Sequence, residues 1–235
     1  MRRVAEHMGM PISIDIPGSK SQKLFDALFA LCEDTDARFS PYKSTSELSK
    51  LWRGHIREKD ASADMQAIIT ACNQYEQKTN GYFSARYAGT FNPTGYVKGW
   101  AIQRMADYLD TQGVETYLIN AAGDITAKSV NGHTWNIVVA NPADTTKPIA
   151  SLTIDNGAVA TSGNYERGTH IYDPHTKIPA DELGSVTIIG PHIITADVYA
   201  TAVFAMGLEK GSAFMKKQRG YQAIFVNKNG QATTA

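Results

Sequence analysis

Apolar and polar residues alternate over Ile12-Ser13-Ile14-Asp15-Ile16, between Pro11 and Pro17-Gly18, and that period of two predicts a half-buried strand. Over residues 19–34 the period lengthens, so that Leu24, Leu28, Leu31 and Cys32 share one helical face. Ser44 and Glu47 have the spacing of a capping box ahead of a short helix through Leu48, Leu51 and Trp52. Residues 62–80 return to helical spacing with Met65, Ile68, Ile69, Cys72 and Tyr75, and Asn80-Gly81 stops them.

A polar, turn-rich link over residues 83–95 precedes a helix predicted for residues 97–112, and Tyr117-Leu118-Ile119 reads as a strand. Asn131-Gly132 separates Ile125-Thr126-Ala127 from Trp135-Asn136-Ile137-Val138-Val139, which predicts a hairpin between those two runs. Residues 151–155, 158–161, 169–172 and 186–189 read as further strands. A helix over 195–206, a last helix over 210–218 and a strand over 223–226 complete the pattern. Helices and strands are mixed and hairpins lie among them, so the expected fold class is α+β. No internal repeat, low-complexity stretch or linker interrupts it, so residues 1–235 read as one compact domain.

Composition narrows the function classes. Lys plus Arg and Asp plus Glu both number 23, so the formal net charge is zero and nothing favours a nucleic-acid surface. Any phosphorylated ligand must then be held by local geometry. The two cysteines, Cys32 and Cys72, both lie in helical patterns and read as buried thiols. Residues 1–7 are charged and lead into no apolar run, so no signal peptide is read, and the run at 199–207 is too short to span a bilayer. A soluble, cytoplasm-compatible chain is the expectation.

Three places could carry chemistry. Asp197 and Thr201 are one helical turn apart, so a helix sets a carboxylate and a hydroxyl on one face. Both are the oxygen ligands that a hard cation such as Mg²⁺ prefers. The ordinary alternative is an acid placed near a helix start and a threonine bonded one turn back. Gly95-Tyr96-Val97-Lys98-Gly99 opens a helix after Asn92-Pro93-Thr94, and free N–H groups there suit an anion. It matches neither a Walker motif nor G-x-G-x-x-G, and a plain turn with a solvated lysine would look the same. His170 stands at a strand start just before the turn of Asp173-Pro174, where an imidazole can act as a general base or be an ordinary strand-end histidine. His7, His55, His133 and His192 have no such framework, and His170 with His175 lacks a metal-pair spacing. An oxygen-ligand metal candidate, an anion site and a placed histidine together fit phosphoryl-type chemistry.

The order of the pieces says more than each alone. Met8-Gly9-Met10-Pro11-Ile12-Ser13-Ile14, Ser46-Glu47-Leu48-Ser49-Lys50-Leu51, Gly95-Tyr96-Val97-Lys98-Gly99-Trp100-Ala101, Leu118-Ile119-Asn120-Ala121-Ala122-Gly123-Asp124-Ile125, His170-Ile171-Tyr172-Asp173-Pro174 and Ala196-Asp197-Val198-Tyr199-Ala200-Thr201-Ala202 resemble, in register, the ApbE family of FAD:protein FMN transferases. The resemblance spans about residues 7–226. It implies an α+β fold with T-fold-like halves and a Mg²⁺-dependent enzyme that splits the pyrophosphate of FAD. FMN is then left on a serine or threonine of a target flavoprotein carrying an acidic-x-x-Ser/Thr-Gly-Ala-Ser/Thr motif, and AMP is released. Carried over by residue, it implies a metal held by Asp197, Thr201 and main-chain oxygens at Gly95 and Ala200. It implies FAD contacts from Met8, Tyr42, Tyr82, Phe83, Ser84, Asn92, Lys98 and Ile171, and His170 as the base. For Tyr42, a core tyrosine is the alternative.

The chain also departs from that pattern. The family has an Asp in the segment that reads Gly81-Tyr82-Phe83-Ser84 here, and another where Asn92 stands. Only seven residues separate Ser84 from Asn92, where many members carry tens, and the family's Gly-Gly is Ala122-Gly123. Two other readings therefore stay open: a Mg²⁺-dependent FAD pyrophosphatase in which water replaces the target hydroxyl, and a non-catalytic FAD-binding module.

Overall fold

A computed structural model describes residues 1–86, 88–164, 168 and 170–235, with the backbone alone at Thr145. Strands β1 (Arg2–His7) and β2 (Met10–Asp15) form a hairpin whose turn residues Met8 and Gly9 have φ of 54° and 71°. That sign at both positions suits the twist of a two-residue hairpin. Four helices follow: α1 (Gln22–Phe39), α2 (Glu47–Trp52), α3 (Ala63–Lys78) and α4 (Thr94–Thr111). Then come β3 (Thr116–Ala121), β4 (Asp124–Ser129), β5 (Trp135–Asn141), β6 (Asp144–Ile154), β7 (Gly157–Gly163) and β8 (Leu183–Gly190). Helix α5 (Ile193–Met215), β9 (Gln222–Asn227) and β10 (Ala232–Thr234) close the chain.

Eight strands make one sheet in the order β1-β2-β3-β4-β7-β8-β9-β10, with antiparallel neighbours throughout. Alternation along each strand assigns its two faces. Ile12, Ile14, Tyr117, Ile119, Val186, Ile188 and Phe225 join the helices in the main core. On the other face Leu118, Ile125, Ala127 and Val159 lie under Trp135, Ile137 and Leu152 of the β5–β6 hairpin. Both cysteines are buried and free, and burial pushes each thiol up to about 12, which leaves them inert packing groups. Among the described residues no helix is long and apolar enough to cross a membrane.

The α+β class and the main helices agree with the sequence pattern, and several local expectations are corrected. Ser44 and Glu47 form no capping box. Ser46 caps α2 by accepting from Ser49 N, while the Glu47 carboxylate takes the N–H and hydroxyl of Ser62 at 2.6 and 2.8 Å. Glu47 thus holds the start of α3 instead. Asn131-Gly132 does turn the chain, but β5 does not pair with β4; it pairs with β6. Both edges of β4 are already taken by β3 and β7, so the next apolar strand can only stack on the face of the sheet. Of the strand expected at 169–172, Thr169 lies outside the described residues and Tyr172 makes only an isolated bridge with Pro179. The two last helices are one element, α5, broken at Gly207 and ending at Met215.

Candidate functional site

The first turns of α4 meet α5 across the helical face of the sheet. Gly99 N donates to Asp197 Oδ2 at 2.9 Å. Gly99 is small for a reason, since a Cβ there would stand 3.1 Å from that oxygen and from Ile194 Cα. One residue earlier, Lys98 Nζ lies 2.6 Å from Asp124 Oδ2. Asp124 starts β4 after the turn at Ala122 and Gly123 (φ 47° and 91°), which Asn120 Oδ1 fixes by accepting Gly123 N at 2.8 Å. Its other oxygen accepts Thr161 N from β7 at 3.1 Å. Thr201, one turn along α5 from Asp197, places Oγ1 3.2 Å from Ser162 Oγ.

Two carboxylates, both almost wholly buried, therefore lie near one lysine, whose ion pair is with Asp124. Burial, and after it the neighbouring Asp124, push the Asp197 carboxyl well above the usual carboxylate range, against the pull of Lys98 and the Gly99 N–H. Asp124 Oδ2 has its ion partner in Lys98 but no well-formed hydrogen bond. An ionised pair needs more positive charge than one lysine supplies. The nearby donors are oxygens, and among the described residues no three His, Cys, Asp or Glu side chains stand together. Two carboxylates with hydroxyls suit Mg²⁺, which takes few protein ligands and leaves positions for phosphate oxygens. The residues fit such an ion.

The remaining expected residues lie in the surrounding loops. Gly95 is in the first turn of α4, where a Cβ would stand 3.3 Å from the Phe83 ring; that ring is buried in the core, so Phe83 offers a ligand only its backbone. Asn92 accepts Thr94 N at 3.2 Å, turning the chain into α4, and Ser84 Oγ accepts Arg86 N at 3.1 Å. Tyr82 is half-buried and its hydroxyl receives Lys210 Nζ at 2.8 Å. Tyr42 is 95% exposed, which excludes the core-tyrosine alternative. Ile171 is buried, Ala200 is buried inside α5, and Met8 sits at the β1–β2 turn. His170 is exposed, with Nδ1 2.8 Å from Gly168 O. Among the described residues no hydrogen bond or ion pair joins His170, Met8 or Tyr42 to the Asp197 group.

Asp124 is the residue that sequence reasoning passed over. Its only local signal is a carboxylate placed directly after a glycine turn at the start of an apolar strand. Pairing of β4 with β7, which no periodicity predicts, brings it to α5.

Known proteins resemble this chain in sequence and in fold. The sequence model of the ApbE family matches residues 8–94 and 87–225. An FAD:protein FMN transferase of Klebsiella pneumoniae is 35% identical over 201 residues, covering 77% of this chain and 61% of that protein. One of Vibrio cholerae is 36% identical over 49% of this chain and 38% of its own length. The chain thus spans less than two thirds of these relatives. Two solved structures share the fold over its whole length. The flavin transferase ApbE of Vibrio cholerae has a TM-score of 0.82 at 23% identity and is covered to 96%. The ApbE protein of Thermotoga maritima has 0.85 at 21%, also covered to 96%.

Proposed function

Because the chain belongs to the ApbE family, we propose that it transfers FMN from FAD to a serine or threonine hydroxyl of a target protein and releases AMP. The observation that carries this reading is the buried Asp197, Asp124 and Lys98 group at the start of α4. It is a site made for a cation and a diphosphate together. Asp197 and Thr201 would hold Mg²⁺, with main-chain oxygens at Gly95 and Ala200. When bound, the ion offsets charge on the phosphate oxygens and on the departing AMP.

The chain's own groups do the rest. The N–H groups expected to be free at the start of α4 are largely taken, Thr94 N by Asn92 Oδ1 and Tyr96 N and Val97 N by Pro93 O, so the charge offered to the pyrophosphate is that of Lys98, held by Asp124. FAD lies along Tyr82, Phe83, Ser84, Asn92 and Ile171, with Met8 and Tyr42 at the outer loops. The target hydroxyl oxygen bonds to the FMN phosphorus as the bond from that phosphorus to the AMP oxygen breaks. The hydroxyl proton goes to His170, whose exposed ring can reach a group arriving from solvent. The target is a flavoprotein segment of the form acidic-x-x-Ser/Thr-Gly-Ala-Ser/Thr. That same exposure of His170 supports a second reading, in which water takes the hydroxyl's place and free FMN forms.

Incubation with FAD, Mg²⁺ and a protein bearing that motif tests the proposal. The intact mass of the target should rise by one FMN unit with AMP released in equal amount. Free FMN with an unmodified target supports the hydrolase. FAD binding with neither product leaves a binding module and overturns both enzyme readings.

A further inference from the structure

His170 is the first residue of a short arm that is locked along its length. Ala180 N donates to Ile171 O and Asp173 N to Ile178 O, both at 2.9 Å, and Lys177 N donates to Asp173 O at 2.7 Å. Tyr172 and Pro179 pair in a single antiparallel bridge. At the tip His175 N donates to Asp173 Oδ1 at 2.9 Å, and at the base Ile171 and Ala180 are buried. The arm moves as a unit if it moves at all.

Its tip is seated on the segment that follows α3. The His175 ring meets the Tyr82 ring edge-on, with centroids 4.6 Å apart and planes at 69°. A Cβ on Gly81 would stand 3.0 Å from His175 Cε1, so the glycine allows the ring to lie flush against the backbone. Tyr82 is held from its far side by Lys210 Nζ of α5. A groove of about 410 Å³, lined in part by Gly81, Ser84, Pro174 and His175, opens beside the contact. Tyr82 belongs to the wall assigned to FAD, and the arm carries the proposed base. His175 joins the two.

We propose that His175 is a positioning residue, whose seat on Gly81-Tyr82 holds His170 in register with the FAD wall. This rests on the transferase reading above. Without the ring contact the arm leaves its seat part of the time, and only the seated fraction transfers. An edge-to-face aromatic pair is strong enough to change that balance by about 2- to 12-fold. The FAD contacts themselves stay in place.

His175→Ala and His175→Phe, each with FAD and Mg²⁺ at saturation, give the test. His175→Ala should lower the single-turnover rate of FMN transfer, by at most about 12-fold, with FAD affinity changed by less than about 2-fold. His175→Phe, which keeps an edge for Tyr82, should restore most of the rate. Hydrogen exchange gives a readout independent of activity. The amides of Gly81 and Tyr82, which bond Glu76 O and Thr79 O in the segment where the tip is seated, should exchange faster in His175→Ala than in wild type or His175→Phe. Unchanged exchange and rate in His175→Ala overturn the proposal, as does a Phe variant no better than Ala. A wild-type protein that transfers no FMN overturns the transferase reading instead, and the exchange comparison still decides whether His175 seats the arm.

Discussion

At the scale of single residues, Asp197 carries the largest electrostatic strain. Its carboxyl is almost wholly buried and its pKa is raised, first by burial and then by Asp124. The folded state thus holds this proton more tightly than the unfolded chain does. Stability from this group is present at low pH and is lost as pH climbs from about 4 through the raised folded value. Asp197→Asn keeps an acceptor for Gly99 N and removes the charge. Without metal it should be more stable than wild type near pH 8, by roughly 1 kcal/mol or more, with a flatter pH dependence. Mg²⁺-dependent turnover of FAD should vanish. Urea unfolding across pH 5–8, paired with a Mg²⁺ titration, checks both; a less stable variant that still turns over FAD contradicts the assignment.

His170 gives the second residue-scale prediction. A threonine hydroxyl is a poor nucleophile, and a placed base contributes roughly 10² to 10⁴ in rate. His170→Ala should lose a factor of that order in single-turnover transfer while FAD affinity, read by fluorescence titration, stays near wild type. Binding and transfer falling together would make His170 a contact to FAD and not the base. The helical spacing of Asp197 with Thr201 was legible in the sequence, and α5 does set the two one turn apart. Asp124 was not, because its partners arrive from α4 and β7 through tertiary pairing that no local pattern encodes.

At the scale of elements, the break in α5 has a defined cause. Gly207 has φ 76°, and a Cβ there would run into the Glu182 carboxylate. That carboxylate accepts Leu208 N at 3.0 Å, so it caps the helical stretch that resumes after the break. Lys210 lies on that stretch and reaches Tyr82. Gly207→Ala should destabilise the protein by about 1–3 kcal/mol, from the left-handed backbone and the displaced cap. Chemical denaturation measures it, and a loss below about 0.5 kcal/mol would show that the break needs no glycine. A gap between two helical patterns was readable here, because glycine interrupts the apolar spacing of residues 195–218. Strand partners were not. The turn at Asn131-Gly132 is encoded locally, whereas the partner of β5 depends on which edges the rest of the sheet leaves open.

At the scale of the molecule, the order of elements repeats although the sequence does not. A hairpin, helices and a second hairpin (β1–β2, α1 to α4, β3–β4) are followed by β7–β8, α5 and β9–β10. The T-fold-like halves implied by the resemblance are visible in that order. The candidate site lies on their junction. Lys98, Gly99 and Asp124 come from the first half, Ser162, Asp197 and Thr201 from the second, and the bonds Gly99–Asp197 and Asp124–Thr161 cross between them.

That placement makes a prediction about ligands. Under the proposed reading, Asp197, Thr201 and two main-chain oxygens leave positions on an octahedral Mg²⁺ that phosphate oxygens of FAD would fill in place of water. Each ligand therefore finishes the other's site, and their coupling must be equal in both directions. Mg²⁺ should tighten FAD binding by the same factor by which FAD tightens Mg²⁺. Thermal unfolding should show small shifts with either ligand alone and a larger one with both, since a ligand held at about 100 times its Kd adds roughly 2.7 kcal/mol. Because the bonds cross the junction, both halves should gain and unfold in one transition. Asp197→Asn should remove the coupling and leave FAD's own shift. Shifts that simply add, or a coupling that survives in Asp197→Asn, would place the metal elsewhere.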